Sequence, residues 1–425
     1  MKIAFYNPLF GSKFKDLTKA NQSNPGWGGT QFCFALIINA LSRNFRDLEI
    51  MVYSDCELIL PINCKCKIVD KNNLFVQADR DGIDYLVVKT FMEVIFYREA
   101  EKYKKVNIIC WSHNYFNAHI AKAINECTNV KAVVFVGKQM YDFYYDHDII
   151  LKSTFIYNPV PDRNVISERI YEPYTLVYMG SLIRQKGILD LLKIWHIIET
   201  KYPHAQLNII GAGNLYKSDA KLGPLGVAEK DLEMQMANYI YESTGRIKAN
   251  IHFHGILGDE KYNVFQKCAV GIVNPSARTE TFGMGIMEMA TVGLPVVTKG
   301  WNGHLDTIVN GETGLLAFTN KGMAHSIIRL FEHDELNREL GQKAKLAVKR
   351  FDPDKISYKW HDLFYSLNQN HGSFNILKMD KPYWNNYKFI RYLSSFFRHK
   401  LGLKFLPSVV EVETFLNDSI KRMSR

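Results

Sequence analysis

Short apolar runs alternate with longer amphipathic stretches along most of this chain, and the alternation occurs twice. The first series comprises KIAFYN (2–7), FCFALIINALSRN (32–44), LEIMVYS (48–54), VNIICWSH (106–113) and KAVVFVG (131–137). Apolar runs of strand length with no polar alternation read as strands buried on both faces, and the helical repeats between them supply the cover, which predicts a parallel sheet. At Asn158-Pro159-Val160-Pro161-Asp162 the rhythm breaks into a polar segment that reaches Pro173. A second series then follows: TLVYMG (175–180), LDLLKIWHIIETKY (189–202), QLNIIGAG (206–213), NIHFHG (250–255), AVGIVNPS (269–276) and LPVVTKG (294–300). The predicted class is α/β, with domains at 1–160 and 174–350, a crossover helix at 351–372 and a tail of different character at 373–425. A length of 425 residues agrees, because single cores stop growing beyond roughly 250–300 residues.

Cysteine usage and the N-terminus bound the setting. Seven Cys, an odd number with no CxxC spacing, predict neither a disulfide framework nor a zinc site, and fit reduced thiols in a cytoplasm. Met1-Lys2 leads straight into IAFYNPLF without a signal-peptide core, and no apolar run approaches the ~18 residues of a membrane span. The net charge of +10 suggests an anionic partner such as nucleic acid, phosphate or an acidic membrane surface.

In open parallel sheets, ligands bind beyond the carboxyl ends of the strands, so motifs just after strands carry most weight. In NPSARTETFGMGIMEMATVGLPVV (274–297) a strand runs into a loop holding Glu280, then Phe282-Gly283-Met284-Gly285, then a helix carrying Glu288. A helix N-terminus offers unpaired N–H groups to a phosphate, and glycines let a ligand approach the backbone. Carboxylates beside it accept hydrogen bonds from hydroxyls of a sugar or ribose. From spacing alone, a solvated loop residue and a surface helix residue explain the two Glu equally well.

Context separates those readings. The stretch resembles glycosyltransferase family 4, retaining nucleotide-sugar transferases of the GT-B fold, whose signature is a Glu, seven residues and a second Glu in this strand, loop and helix setting. Asn274-Pro275-Ser276 before it and Gly293-Leu294-Pro295-Val296-Val297 after it also match. The resemblance implies that Glu280 holds the donor sugar's hydroxyls and Glu288 the ribose, with backbone at Phe282, Gly283 and Met284 facing the sugar and diphosphate. Met179-Gly180-Ser181-Leu182-Ile183-Arg184-Gln185-Lys186-Gly187 resembles the family's diphosphate-binding loop, which assigns Lys186 to the diphosphate. The family's usual Arg is Ser181 here, so either Arg184 takes its place or fewer charges hold the diphosphate. Ile210-Gly211-Ala212-Gly213 resembles the glycine loop that makes room for the nucleotide, and Gly255-Ile256-Leu257 the segment that meets the base. Trp301-Asn302-Gly303 and Gly311-Glu312-Thr313-Gly314 resemble the closing loops, with Asp306 where a Glu is usual and no role assigned to it.

In the first domain the match is looser. Gly28 and Gly29 precede the helical run from Gln31 and resemble the family's Gly-Gly turn beside the donor diphosphate and the acceptor; a simple tight turn is the alternative. His113 ends the strand VNIICWSH and resembles the family's first-domain active-site His. Asp79-Arg80-Asp81 and Asp146-His147-Asp148 look like the metal-binding DxD of a different transferase fold but do not follow strands in the required setting, so both are read as solvated turn charges.

Together these readings imply a GT-B protein of two facing Rossmann-like domains, the first for the acceptor and the second for the nucleotide sugar. The implied activity is hexosyl transfer with retention, from a nucleotide sugar (UDP by default) to a glycan or lipid-linked acceptor in surface polysaccharide biosynthesis. Glu280, Lys186, Arg184 and His113 carry the chemistry, with no obligate metal and no cofactor. A nucleotide-sugar 2-epimerase shares the fold and is the alternative; a polyanion-binding module rests on net charge alone. Residues 373–425 contain ten Lys or Arg and four Asp or Glu, leaving only +4 for the rest of the chain. Within 383–401, Phe389, Ile390, Leu393, Phe396, Phe397 and Leu401 recur at helical spacing with Lys388, Arg391 and Arg398 between them. Such a basic amphipathic helix either packs its aromatic face on the first domain or lies on an anionic membrane. The charge therefore points to peripheral attachment at the inner face of a cell membrane rather than to nucleic acid.

Overall fold

Thirteen strands form two separate sheets in the computed structural model, which describes residues 1–22, 24–161, 169–213, 221–369 and 374–423. Residues 162–168 of the polar segment at 158–173, the first residue of the expected tail and Arg425 lie outside the described residues. The chain divides into two units: residues 1–20, 30–159 and 353–425 form one, and residues 21–29 and 160–352 the other.

In the first unit the strands are β1 (Lys2–Tyr6), β2 (Glu49–Ser54), β3 (Cys64–Ile68), β4 (Tyr85–Lys89), β5 (Asn107–Ser112), β6 (Val130–Phe135) and β7 (Ser153–Phe155), in the order β3-β2-β1-β4-β5-β6-β7. Every pairing is parallel. The central strands are the continuous apolar runs of the sequence, buried on both faces because crossover helices such as Gly29–Asn44 cover them. Trp111 of β5 is fully buried, stacked on Phe34 at 4.7 Å and edge-on to Trp360 at 4.8 Å. Trp360 belongs to the helix Pro353–Asn368, which returns to this unit after the second one is complete. Tyr365 Oη donates to Asp47 at 2.6 Å, and Asn44 Nδ2 donates to Ser357 Oγ at 3.0 Å, fixing that return.

The second unit repeats the logic with β8 (Thr175–Met179), β9 (Gln206–Ile210), β10 (Ile251–Gly255), β11 (Val270–Ile272), β12 (Val296–Lys299) and β13 (Gly314–Ala317). Their order is β10-β9-β8-β11-β12-β13, again all parallel. The winding reverses between β8 and β11, the switch point beyond which doubly wound sheets bind ligands. The core joins Leu176 and Tyr178 of β8, Ile272 of β11 and the buried face of the helix Ile188–Lys201.

Residues 374–423 pack on the first unit, in an orientation opposite to the one hydropathy suggests. The helix Lys388–Ser395 and the turn Phe396–Lys400 bury Lys388, Arg391, Ser395 and Arg398, while Phe389, Ile390, Leu393, Phe396, Phe397 and Leu401 are exposed. Lys388 Nζ meets Asp142 Oδ2 at 2.7 Å with both side chains fully buried. Arg391 lies 3.7 Å from Asp146 and 2.9 Å from Glu413, over the ring of Phe143, and Arg398 lies 3.4 Å from Asp148. Asp146-His147-Asp148 is therefore not a solvated turn: Asp146 is fully buried and also accepts from Val409 N at 2.6 Å. A buried carboxylate left unpaired costs several kcal/mol, so these acids draw the cations inward and the aromatic face is left outside. A reciprocal Ser408–Glu411 cap then starts the helix Val409–Met423. Among the described residues no helix is long and apolar enough to cross a membrane.

Candidate active site

At the switch point of the second sheet, Tyr178 of β8 pairs in register with Ile272 of β11, so the loops after the two strands start side by side. The first loop carries Lys186 and the second carries Glu280. Ser276 Oγ donates to Gln185 O at 2.7 Å, tying one loop to the other. Lys186 Nζ lies 3.0 Å from Glu280 Oε2, and Asn274 Nδ2 donates to the same oxygen at 2.9 Å. Asn274, Ala277 and Thr279 all have left-handed backbone conformations, at φ +40°, +55° and +57°. Non-glycine residues held there store of order 1–3 kcal/mol each, a cost that clusters at ligand-binding loops.

Burial acts to raise the pKa of Glu280, but the charge of Lys186, the neighbouring His304 and the hydrogen bonds from Asn274 and Lys186 more than offset it, to about 2. The carboxylate is therefore ionised throughout the neutral range. His304 is fully buried; burial pushes its pKa down against the attraction of Glu280. Its Nδ1 donates to Lys299 O at 2.9 Å, which leaves Nε2 as a buried acceptor with no hydrogen-bond partner among the described residues.

Gly283 caps the helix Met284–Thr291 at φ +94°, and a Cβ there would sit 3.0 Å from Ile286 Cδ1 and 3.5 Å from His304 Cδ2. The helix start beside Glu280 thus needs glycine, and its first N–H groups have no partner one turn back. Phe282 is buried and edge-on to Phe351 at 5.2 Å; Met284 begins the helix. Glu288, four residues further on, is buried and pairs with Lys261 Nζ at 2.8 Å.

The glycine loop after β9 has a steric rather than a chemical role. Gly211 has φ +134°, and a Cβ would fall 1.9 Å from Gly180 O. Gly213 N donates to Val227 O at 2.7 Å. Ile256, just past β10, is half exposed. Arg184 is not brought to Glu280: it is exposed and donates to Gln235 Oε1 at 2.6 Å. Gly28 precedes, and Gly29 opens, the helix Gly29–Asn44, after a turn in which Asn24 Oδ1 accepts from Gly26 N and Trp27 N. In the first unit, His113 follows β5 and packs at 4.7 Å on Trp111; burial and the nearby Lys89 push its pKa down to about 3, so it is neutral.

Three site residues escape sequence reasoning. Lys261 is a cation on the same helical face as buried Phe265, and that misplaced charge was its signal. Asn274 sits in a matched motif but was given no role. His304 follows Asn302-Gly303 without any motif of its own.

Residues 163–347 match the family model of glycosyl transferases group 1. Among similar proteins, trehalose synthase of Pyrococcus horikoshii is 29% identical over 43% of this chain and 41% of its own length. The capsular polysaccharide biosynthesis glycosyltransferase CapM of Staphylococcus aureus is 25% identical over 48% of this chain and 50% of its own. The chain spans about half the length of the curated relatives it matches. Among solved structures, HepE of Anabaena in complex with UDP and glucose aligns with a TM-score of 0.63 at 16% identity, covering 86% of this chain and 100% of that one. Sucrose-phosphate synthase of Thermosynechococcus elongatus aligns at 0.65 and 15% identity, covering 87% and 100%. The fold is that of the GT-B glycosyltransferases: two Rossmann-like domains with a helical C-terminal region.

Proposed function

We propose that this protein is a retaining hexosyltransferase that moves a sugar from a nucleotide sugar, UDP-linked by preference, to a glycan or lipid-linked acceptor. The observation that carries the reading is the Lys186–Glu280–Asn274 cluster beside a glycine-capped helix start, at the switch point of the second sheet. Glu280, ionised across the neutral range, accepts hydrogen bonds from donor-sugar hydroxyls and fixes the ring. Lys186 and the helix start at Gly283 face the diphosphate and stabilise the negative charge that grows on it as the glycosidic bond breaks, so no obligate metal is needed. The reacting sugar acquires oxocarbenium character, and the preorganised charges stabilise it without rearranging. In this reading Glu288, which pairs with Lys261, accepts from the ribose. His113, neutral at working pH, is a hydrogen-bond partner rather than a charge.

HepE was solved with UDP and glucose, which supports a UDP-sugar donor; the likeness to CapM supports a product in surface polysaccharide synthesis. Incubating the protein with a panel of nucleotide sugars and simple glycoside acceptors tests this. Release of UDP together with a product whose anomeric configuration equals the donor's is expected. Formation of a C2 epimer without acceptor would replace the reading with that of an epimerase.

A further inference from the structure

The outward face of residues 383–405 is the largest feature that sugar transfer leaves unexplained. On the helix and turn 388–400, positions 388, 391, 395 and 398 form an inward stripe of polar side chains at helical spacing, and the side chains between them point out. Phe389 is 61% exposed, Tyr387 59% and Phe405 80%, with Trp384, Phe396 and Phe397 each more than 40% exposed. Soluble surfaces scatter such residues singly; a run of them over about twenty residues marks a surface built to be covered.

Charge decides what covers it. Residues 381–410 contain six Lys or Arg and no Asp or Glu. Lys388, Arg391 and Arg398 are spent on Asp142, Asp146 and Asp148 of the same unit. Lys381, Lys400 and Lys404, which flank or interrupt the aromatic run in sequence, remain exposed. A second copy docked on this face through a two-fold axis would set lysines against lysines with no carboxylate of the segment between them. An anionic lipid surface matches both parts: the rings enter the interface and the lysines meet the headgroups. The buried ion pairs hold the helix in place beforehand, so little ordering has to accompany binding.

We propose that residues 383–405 form a membrane-interface docking surface for anionic lipid, with the aromatic side chains inserted and Lys381, Lys400 and Lys404 facing the headgroups. The proposal stands independently of the transfer reaction. It differs from a simple basic amphipathic helix in that the three cations on the helix's inward stripe make no lipid contact.

The test is flotation of the full chain with vesicles of phosphatidylcholine, alone or mixed with phosphatidylglycerol. Wild-type protein is expected to bind the mixed vesicles, less tightly in high salt. The triple variant Phe389→Ser, Phe397→Ser, Phe405→Ser alters only exposed side chains and should keep its unfolding midpoint while losing at least roughly tenfold in partitioning. Lys400→Glu with Lys404→Glu should abolish the preference for phosphatidylglycerol. The proposal is overturned if wild type ignores both vesicles, if the triple variant binds as well as wild type, or if the face instead mediates a concentration-dependent dimer that the triple variant dissolves.

Discussion

Replacing Lys261 by Met removes one member of an ion pair that is sealed from water. Its Nζ lies 2.8 Å from Glu288 Oε1, with side chains only 5% and 8% exposed. At that separation the pair attraction is about 6 kcal/mol for an effective dielectric of about 20, and desolvation of the two groups consumes much of it. Removing one partner forfeits the attraction while Glu288 stays buried, so Lys261→Met should lose roughly 3–5 kcal/mol. Replacing both, as Lys261→Met with Glu288→Leu, removes the uncompensated charge and should return stability to within about 1 kcal/mol of wild type or above it. Urea unfolding of the four proteins of the cycle, followed by tryptophan fluorescence, gives the coupling energy directly. Titration of UDP into the stable double variant separates structure from function: it should bind much more weakly than wild type, because the ribose has lost its carboxylate. A single-variant cost below about 1 kcal/mol would refute the buried pair. Unchanged UDP affinity in the double variant would show that Glu288 only supports the fold.

Other expectations concern backbone, pH and the tail. Gly211→Ala forces a Cβ against Gly180 O at φ +134° and should cost about 3 kcal/mol or more, read as a lowered urea midpoint; a shift under 1 kcal/mol would contradict the close approach. His113 and His304 have folded pKa values depressed by burial, so the stability they contribute is complete above their unfolded value near 6.5 and is lost as pH falls. Urea midpoints should therefore decline between pH 7 and pH 5 by the equivalent of about 2 kcal/mol from His113, with His304 adding to the loss, and a flat profile would count against neutral buried imidazoles. Glu280 adds a further loss only below about pH 4.5, as pH falls toward its folded value of about 2. Arg391→Met leaves Asp146 fully buried without its cation and should loosen the tail, seen as faster proteolysis after residue 374; unchanged protection would mean that the pair does not hold the helix.

The two sheets were legible because buried parallel strands leave continuous apolar runs that few other structures produce, as in IAFY and LVYM. Lys186 and Glu280 were singled out by the family resemblance of the loops that follow two such runs, and the sheet order then places the two runs side by side. Arg184 shows the limit: the motif assigns Lys186 and leaves Arg184 only as a substitute for the missing Arg, and the geometry turns Lys186 to Glu280 and Arg184 to Gln235. The tail shows another. A hydropathy pattern reveals that residues 388–401 have two faces but not which one lies inside, and the deciding groups, Asp142, Asp146 and Asp148, stand about 250 positions earlier, where Asp146 and Asp148 read as solvated turn charges. Lys261 shows the same limit, since its position marks it as unusual but its meaning comes from Glu288 on a different helix.

The central claim is that Glu280 and Lys186 act on a bound nucleotide sugar, and steady-state transfer by Glu280→Gln and Lys186→Met tests it most directly. Each variant, checked to unfold cooperatively, should retain measurable UDP binding while kcat falls by about two to three orders of magnitude, the usual consequence of deleting a preorganised charge at a reacting centre. Transfer at wild-type rates by either folded variant would contradict the account.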